Sequence, residues 1–382
     1  MKPLELPPPL IAGHPFLPQG RGECIRAAFR AFKAAGITSR IVDIYGLSPR
    51  DPDLEPEIGP GLVPRLDSGV NIFFINGDEI NQALSHLNAA AVRGCYNIIV
   101  PMWELAHYPA AWARELERFH EVWALSGFIR DSIASEVSIP VCHLPLASEA
   151  HVTSFLGRRY FNIPEDRFVF LFAFDFKSYI DRKNPFAAIR AFERVLQARP
   201  VSSVHFVFKL SNSSEHTVDF ERFANIIARY RDRTTVINRT VGDNEMRNLI
   251  RCCDCFLSLH RSEGLGRGLA EAMFLGKPVI ATAYSGNMEF MTPDNSLLVD
   301  YRLVPVGVEA YPHWQDQVWA DPDVEQATAH MIRLIDDPSF GRSIGARASR
   351  HLRRLFSYRA AGLRYRTRLE ELARGQDVAA RH

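Results

Sequence analysis

Residues 254–282 read "DCFLSLHRSEGLGRGLAEAMFLGKPVIAT". The apolar run "DCFLSLH" gives way to a polar loop holding Gly264, Gly266 and Gly268. "LAEAMFLG" then has helical spacing, and "PVIAT" is a second short β-rich run. Strand, loop, helix and strand make one βαβ unit, which predicts a parallel sheet covered by helices. Both strands are nearly continuous apolar runs, as buried parallel strands should be.

The same alternation extends in both directions. Upstream, the predicted strands are 10–13, 39–46, 70–77, 96–103, 121–126 and 140–147, and after a pause they resume at 168–176, 204–210 and 234–240. The last is "SLLVDY", 296–301. Helical patterns lie between them, among them "ECIRAAFRAFKAAG", "INQALSHLNAAAVRG" and "NPFAAIRAFERVLQARP", the last with Pro just inside its start. The pause at 147–167 is mixed and polar and reads as a linker. With 382 residues, more than one core usually reaches, the chain is predicted to form two doubly wound α/β domains, 1–150 and 151–355, followed by a helical tail over 356–382. Ligands of open parallel sheets bind beyond the carboxyl ends of the strands, so a cleft between the domains is the expected site.

Composition excludes several classes. The chain is 47% hydrophobic and 23% charged with a net charge of +1, which gives no general electrostatic case for nucleic acid. No apolar run reaches the roughly 18 residues of a membrane span, and the proline-broken start, "MKPLELPPPLIAG", lacks a signal-peptide core. These features predict a cytoplasmic protein. Six cysteines show neither a disulfide framework nor zinc-like spacing; "CCDC" at 252–255 reads as small buried side chains.

In the opening stretch, Glu263 precedes the glycine-rich turn, and Glu271 falls within roughly the first turn of the helix. A helix N-terminus offers unsatisfied N–H groups and partial positive charge to a phosphate, and glycines let the backbone approach a ligand. Two acceptor-only carboxylates beside such a place suit hydroxyl donors, meaning sugars. A carboxylate complementing the helix dipole, with a solvated loop glutamate beside it, accounts for the pair equally well.

The stretch resembles the Glu-x7-Glu motif of retaining glycosyltransferases of the GT-B fold, family GT4. The "SEG-x-G" loop, the second Glu followed by "AM", and "GKPVIAT" stand where that family has them. The resemblance covers most of the chain, specifically over 168–320 and more loosely over 10–147. It implies two Rossmann-like domains facing a central cleft, with the tail packing back on the first. It also implies that Glu263 contacts the donor sugar, that Glu271 contacts the ribose, and that the backbone of Gly264, Leu265, Gly266 and Arg267 faces the diphosphate.

In "FDFKSYIDRKNPFAAIRAF" (174–192), Lys183 stands where the family neutralises the leaving diphosphate. The family's Arg about five positions earlier is here Ser178, which leaves Lys177 and Arg182 as candidates for the second phosphate ligand. Of only six lysines, four (177, 183, 209 and 277) fall in the second domain; Lys209, closing a strand, is a further donor-side candidate. The implied reaction retains configuration, uses a nucleoside-diphosphate sugar as co-substrate and needs no metal or cofactor.

On the acceptor side, Gly20, Arg21 and Gly22 resemble the family's first glycine-rich loop. Glu104 and His107 of "VPMWELAHYPAAW", with Trp103, are expected to line the cleft. The helix "CIRAAFRAFKAAG" is basic and amphipathic, and suits either contact with an anionic membrane or a solvated face. The segment "YRLVPVGVEAYPHWQDQVWADPDVEQA" resembles bacterial GT4 enzymes that build mannose-containing polysaccharides. That implies mannose as the donor sugar; a glycan or lipid-linked acceptor, and a cytoplasmic place at the inner face of the plasma membrane, are separate expectations. A GT-B-like sugar-nucleotide epimerase or hydrolase, and a non-catalytic sugar-nucleotide-binding protein, are the competing expectations.

Overall fold

The computed structural model describes residues 8–17, 20–46, 52–66, 69–87, 92–200 and 203–379. The chain forms two compact units. The proline-rich start through residue 7, and residues 88–91 of the helix expected over 80–94, lie outside the described residues; that helix is seen over Ile80–His86.

Unit 1 comprises Met1–Trp103, His107–Glu149 and Arg354–His382. Its strands are β1 (Leu10–Gly13), β2 (Arg40–Asp43), β3 (Val70–Phe73), β4 (Tyr96–Ile99), β5 (Glu121–Ala124) and β6 (Val141–His143). They form one parallel sheet in the order β2-β1-β3-β4-β5-β6. Every residue of β1, β3 and β5 is buried, which explains the unbroken apolar runs. Where polar residues enter, they pair: Asn71 and Asn97 are in register on β3 and β4, and Asn71 Nδ2 donates to Asn97 Oδ1 at 2.9 Å.

The C-terminal helix Tyr358–Ala379 packs against the helix Gly20–Ala34. Their backbones come so close at Gly362 that a Cβ there would lie 2.0 Å from Ala31 O. Tyr365 sits 5.2 Å from the Phe32 ring and stacks on Trp123 at 5.3 Å. The apolar face of Gly20–Ala34, including Cys24, Ile25, Ala28 and Phe32, is therefore buried. A membrane contact through that face, one of the two expectations from the sequence, has no apolar surface left to use. Among the described residues, no helix is long and apolar enough to cross a membrane.

Unit 2 comprises Glu104–Ala106 and Ala150–Arg353. Its main strands are β7 (Phe168–Asp175), β8 (Val204–Ser211), β9 (Thr234–Asn238), β10 (Cys255–Ser258), β11 (Val279–Thr282) and β12 (Leu297–Val299), again all parallel. The order is β12-β11-β10-β7-β8-β9. Counted within the unit this is the 3-2-1-4-5-6 Rossmann arrangement, whose direction reverses between its first and fourth strands, here β7 and β10.

The core follows from alternation along β7. Phe170 and Phe172 project to one face and stand in register with Phe206 and Phe208 of β8, with ring centroids 6.3 Å apart in both pairs. Phe192, from the helix Pro185–Ala198, stacks on Phe206 at 5.0 Å. Cys252, Cys253 and Cys255 are buried and free. Arg158 fixes the segment before β7, donating to Cys252 O and Arg167 O at 2.8 Å and pairing with Asp254 at 2.8 Å.

The sequence pattern missed a pair of strands. The run 296–301 is not a single strand: β12 stops at Val299, and a separate antiparallel pair follows, β13 (Tyr301–Pro305) with β14 (Val318–Pro322).

Candidate active site

The polypeptide leaves β7 at Asp175 and makes two short turns, Phe176–Ser178 and Ile180–Lys183. Two residues here take left-handed backbone angles, Tyr179 at φ 64° and Asn184 at φ 55°. Asn184 also caps the helix Pro185–Ala198 by accepting from Ala187 N, and its Nδ2 donates to Leu259 O at 2.9 Å. Arg261 N donates to Arg182 O at 2.8 Å. These bonds tie the turn after β7 to the loop after β10, at the place where the sheet reverses direction.

Two cations and two carboxylates converge there. Lys183 Nζ donates to Glu263 Oε1. Arg182 Nη1 lies 3.4 Å from Glu263 Oε2, and Nη2 lies 3.9 Å from Glu104 Oε1. Burial alone would raise the Glu263 carboxyl, but the Lys183 ammonium and Arg182 guanidinium outweigh it and bring it down to about 2. Burial likewise works against the Arg182 charge, and Glu104 and Glu263 hold it cationic. Lys183 is pulled below the usual lysine value by burial, with Glu263 opposing. Its side chain keeps 19% exposure against 4% for Arg182, so Lys183 is the cation a ligand reaches.

Arg182 has already spent N–H groups on the main chain, Nε on Ser178 O at 3.2 Å and Nη1 on Ser262 O at 2.9 Å. Of the two candidates for the second phosphate ligand, this one is a buried fixed charge. The other, Lys177, pairs with Glu215 at 2.9 Å on the half-exposed surface and is not brought to the Lys183–Glu263 pair. Lys209 is not brought there either. It is buried on β8, where Nζ donates to Leu210 O at 3.0 Å and Ser211 Oγ at 2.6 Å, and burial lowers it to about 8 against the pull of Asp175.

The glycine-rich loop is shaped by packing as much as by access. Gly266 has φ 84° and begins the helix Arg267–Phe274 with no side-chain cap. A Cβ on Gly268 would meet the Phe256 ring at 3.2 Å. Leu265 is buried. Glu271 is the fifth residue of the helix, in its second turn rather than its first, and accepts from Arg267 Nη2 at 2.6 Å.

A second loop, after β11, clamps Glu263. Glu263 N donates to Ser285 Oγ at 2.8 Å, and Gly286 N donates to Glu263 O at 2.8 Å. Gly286 is pressed so close that a Cβ would lie 1.9 Å from Gly264 O. Beneath them His260, fully buried, meets Ser258 Oγ and Asn287 Oδ1 at 3.0 Å each, and burial lowers its basicity. Ser285, Gly286 and His260 were missed in the sequence, although "SGN" in the loop after a strand was a usable signal.

Tyr311 was missed as well. From the segment between β13 and β14, its OH donates to Glu104 Oε2, and its ring lies 5.7 Å from the Arg182 guanidinium carbon. Ser262 Oγ donates to Glu104 O.

In unit 1, Arg21 donates to Glu79, which also pairs with His14. A Cβ on Gly22 would meet Leu17 O at 2.1 Å, whereas Gly20 is open. Trp103, expected at the ligand, is instead fully buried against Tyr108 and Trp112, and its Nε1 donates to the His107 carbonyl at 2.9 Å. The His107 residue itself is exposed.

Residues 157–351 match the family profile described as "Glycosyl transferases group 1". No curated protein matches the chain. Among solved structures it is similar to HepE of Anabaena in complex with UDP and glucose, at 13% identity and a TM-score of 0.69, covering 96% of this chain and all of that one. A glycosyltransferase of Rickettsia africae is similar at 13% identity and TM-score 0.69, over 96% and 98% of the two chains. Sucrose-phosphate synthase of Thermosynechococcus elongatus follows at 15% identity and TM-score 0.65, over 96% and 100%. These likenesses carry the fold: two six-stranded parallel α/β units of the GT-B type. With the family match spanning just over half its length, the chain belongs to the glycosyl transferases group 1 family.

Proposed function

We propose that the protein is a retaining, metal-independent glycosyltransferase that uses a nucleoside-diphosphate sugar. The observation carrying this reading is the Lys183–Glu263 pair at the carboxyl ends of β7 and β10, where an open sheet of this order binds ligands. Glu263, ionised with its carboxyl near 2, accepts hydroxyls of the donor sugar. Lys183 turns to the leaving diphosphate, with the uncapped N-terminus of Arg267–Phe274 adding its dipole and Arg182 a fixed charge behind. Glu271 takes the ribose. Preorganised groups of this kind are worth about 3–4 kcal/mol of barrier each. As the anomeric C–O bond breaks, the departing phosphate oxygen takes the proton of the acceptor hydroxyl that attacks from the same face, so configuration is retained.

The resemblance of 301–327 favours mannose as the sugar, and the proposed acceptor is a glycan or lipid-linked saccharide. The complexes of HepE with UDP and glucose and with UDP-glucose favour testing uridine donors alongside. The test is nucleoside-diphosphate release from GDP-mannose, UDP-glucose and UDP-N-acetylglucosamine in EDTA, with alkyl glycosides as acceptors and product configuration read by NMR. Release from one donor giving an α-linked product is the expected result. Inversion, dependence on metal, or no release from any donor would contradict the reading.

A further inference from the structure

We propose that Tyr311 is a positioning residue for the transfer reaction, fixing the Glu104 carboxylate so that one of its oxygens stays open to a substrate hydroxyl. The proposal rests on the function proposed above. Glu104 Oε2 accepts from the Tyr311 OH, while Oε1 lies 3.9 Å from Arg182 Nη2, beyond hydrogen-bond reach. Glu263 differs: both of its oxygens face cations. Glu104 Oε1 thus keeps capacity for a new donor, and the Glu104 side chain is 22% exposed.

The segment carrying Tyr311 is built to hold it. β13 and β14 pair along five residues, and Val306 N donates to Gln317 O at 2.9 Å to close the base. Ala320 N donates to Arg261 O at 2.9 Å, which joins the pair to the loop that bears Glu263. Between the strands, Glu309, His313 and Asp316 all take left-handed backbone angles, φ 56°, 53° and 58°. Non-glycine residues persist there only when surrounding structure enforces it. Tyr311 sits among them 6% exposed, its ring 4.8 Å from Tyr179 at the turn that presents Arg182 and Lys183. A phenylalanine would fill the same volume, and the hydroxyl is what orients Glu104.

The test compares Tyr311→Phe, Glu104→Gln and the double variant in nucleoside-diphosphate release from UDP-glucose and GDP-mannose. Losing the contact that orients Glu104 should lower kcat about tenfold or more, with donor KM near that of the wild type. The double variant should lose no more than the worse single one, because both remove the same link. Three outcomes would overturn the proposal: wild-type kcat in Tyr311→Phe, a change confined to donor KM or to melting temperature, or losses that multiply in the double variant. A wild-type protein that turns over neither donor would instead remove the proposed function, and this role with it.

Discussion

Replacing Arg368 with alanine should free the C-terminal helix from unit 1. Arg368 Nε donates to Glu121 Oε1 at 3.0 Å, and Nη2 pairs with Oε2. Glu121 is fully buried on β5 and also accepts from Trp123 Nε1 and from Tyr96 OH at 3.3 Å. Removing the cation leaves a buried carboxylate with two neutral donors, a change that costs about 3–5 kcal/mol. Two compact units need not unfold together, and a whole-chain melt would average over a change confined to one helix. Local hydrogen exchange reads that helix directly. Protection of amides in Tyr358–Ala379 should fall by roughly 150- to 4,500-fold if the helix opens at that cost. The double variant Glu121→Gln, Arg368→Met should recover most of it, since no charge is left unpaired. Protection within about threefold of wild type in Arg368→Ala, or a double variant as weak as the single one, would refute the electrostatic argument.

Two further expectations concern unit 2. Glu263 has its carboxyl lowered from 4.5 to about 2, a shift worth about 3 kcal/mol. That stability is fully present above the unfolded value and is lost as pH falls through the folded one. The urea-midpoint advantage of wild type over Glu263→Gln should therefore shrink between pH 5 and pH 3; a constant difference would mean Glu263 is not held by its cations. Gly286→Ala must push Gly264 O away from a Cβ placed 1.9 Å from it, displacing the loop that holds Glu263, and turnover should fall about 10²-fold. Gly157→Ala, whose Cβ meets nothing within 4 Å, should be silent in the same assay.

The strands were legible because parallel strands buried on both faces are mostly apolar, and runs such as "LIAG" and "PVIAT" are too short for a helix and bounded by turn residues. Lys183 and Glu263 were singled out by their likeness to the family's motifs, and the structure pairs them with each other. What stayed hidden depends on direction in space. Lys177 and Lys209 also stand at or beside strand ends, yet one turns to Glu215 and the other folds back on Leu210 O. Arg182 is adjacent to Lys183 in sequence, yet its Nε and Nη1 are held by main-chain oxygens. Tyr311 lies more than a hundred residues from its partners, in the segment that leads from β13, whose exposed pattern resembles a loop, to β14. Trp103 was misread because an aromatic beside a strand end fits a core as well as a ligand.

The central claim is that Lys183, paired with Glu263 at the β7–β10 switch, receives the donor diphosphate. Calorimetric titration of UDP and GDP into the wild type and Lys183→Ala, with EDTA present, tests it most directly. The account predicts that the wild type binds one of the two and that Lys183→Ala binds it about 100-fold more weakly, the loss of one charge-assisted contact. Equal affinity in the two proteins would contradict it and remove Lys183 from the diphosphate site.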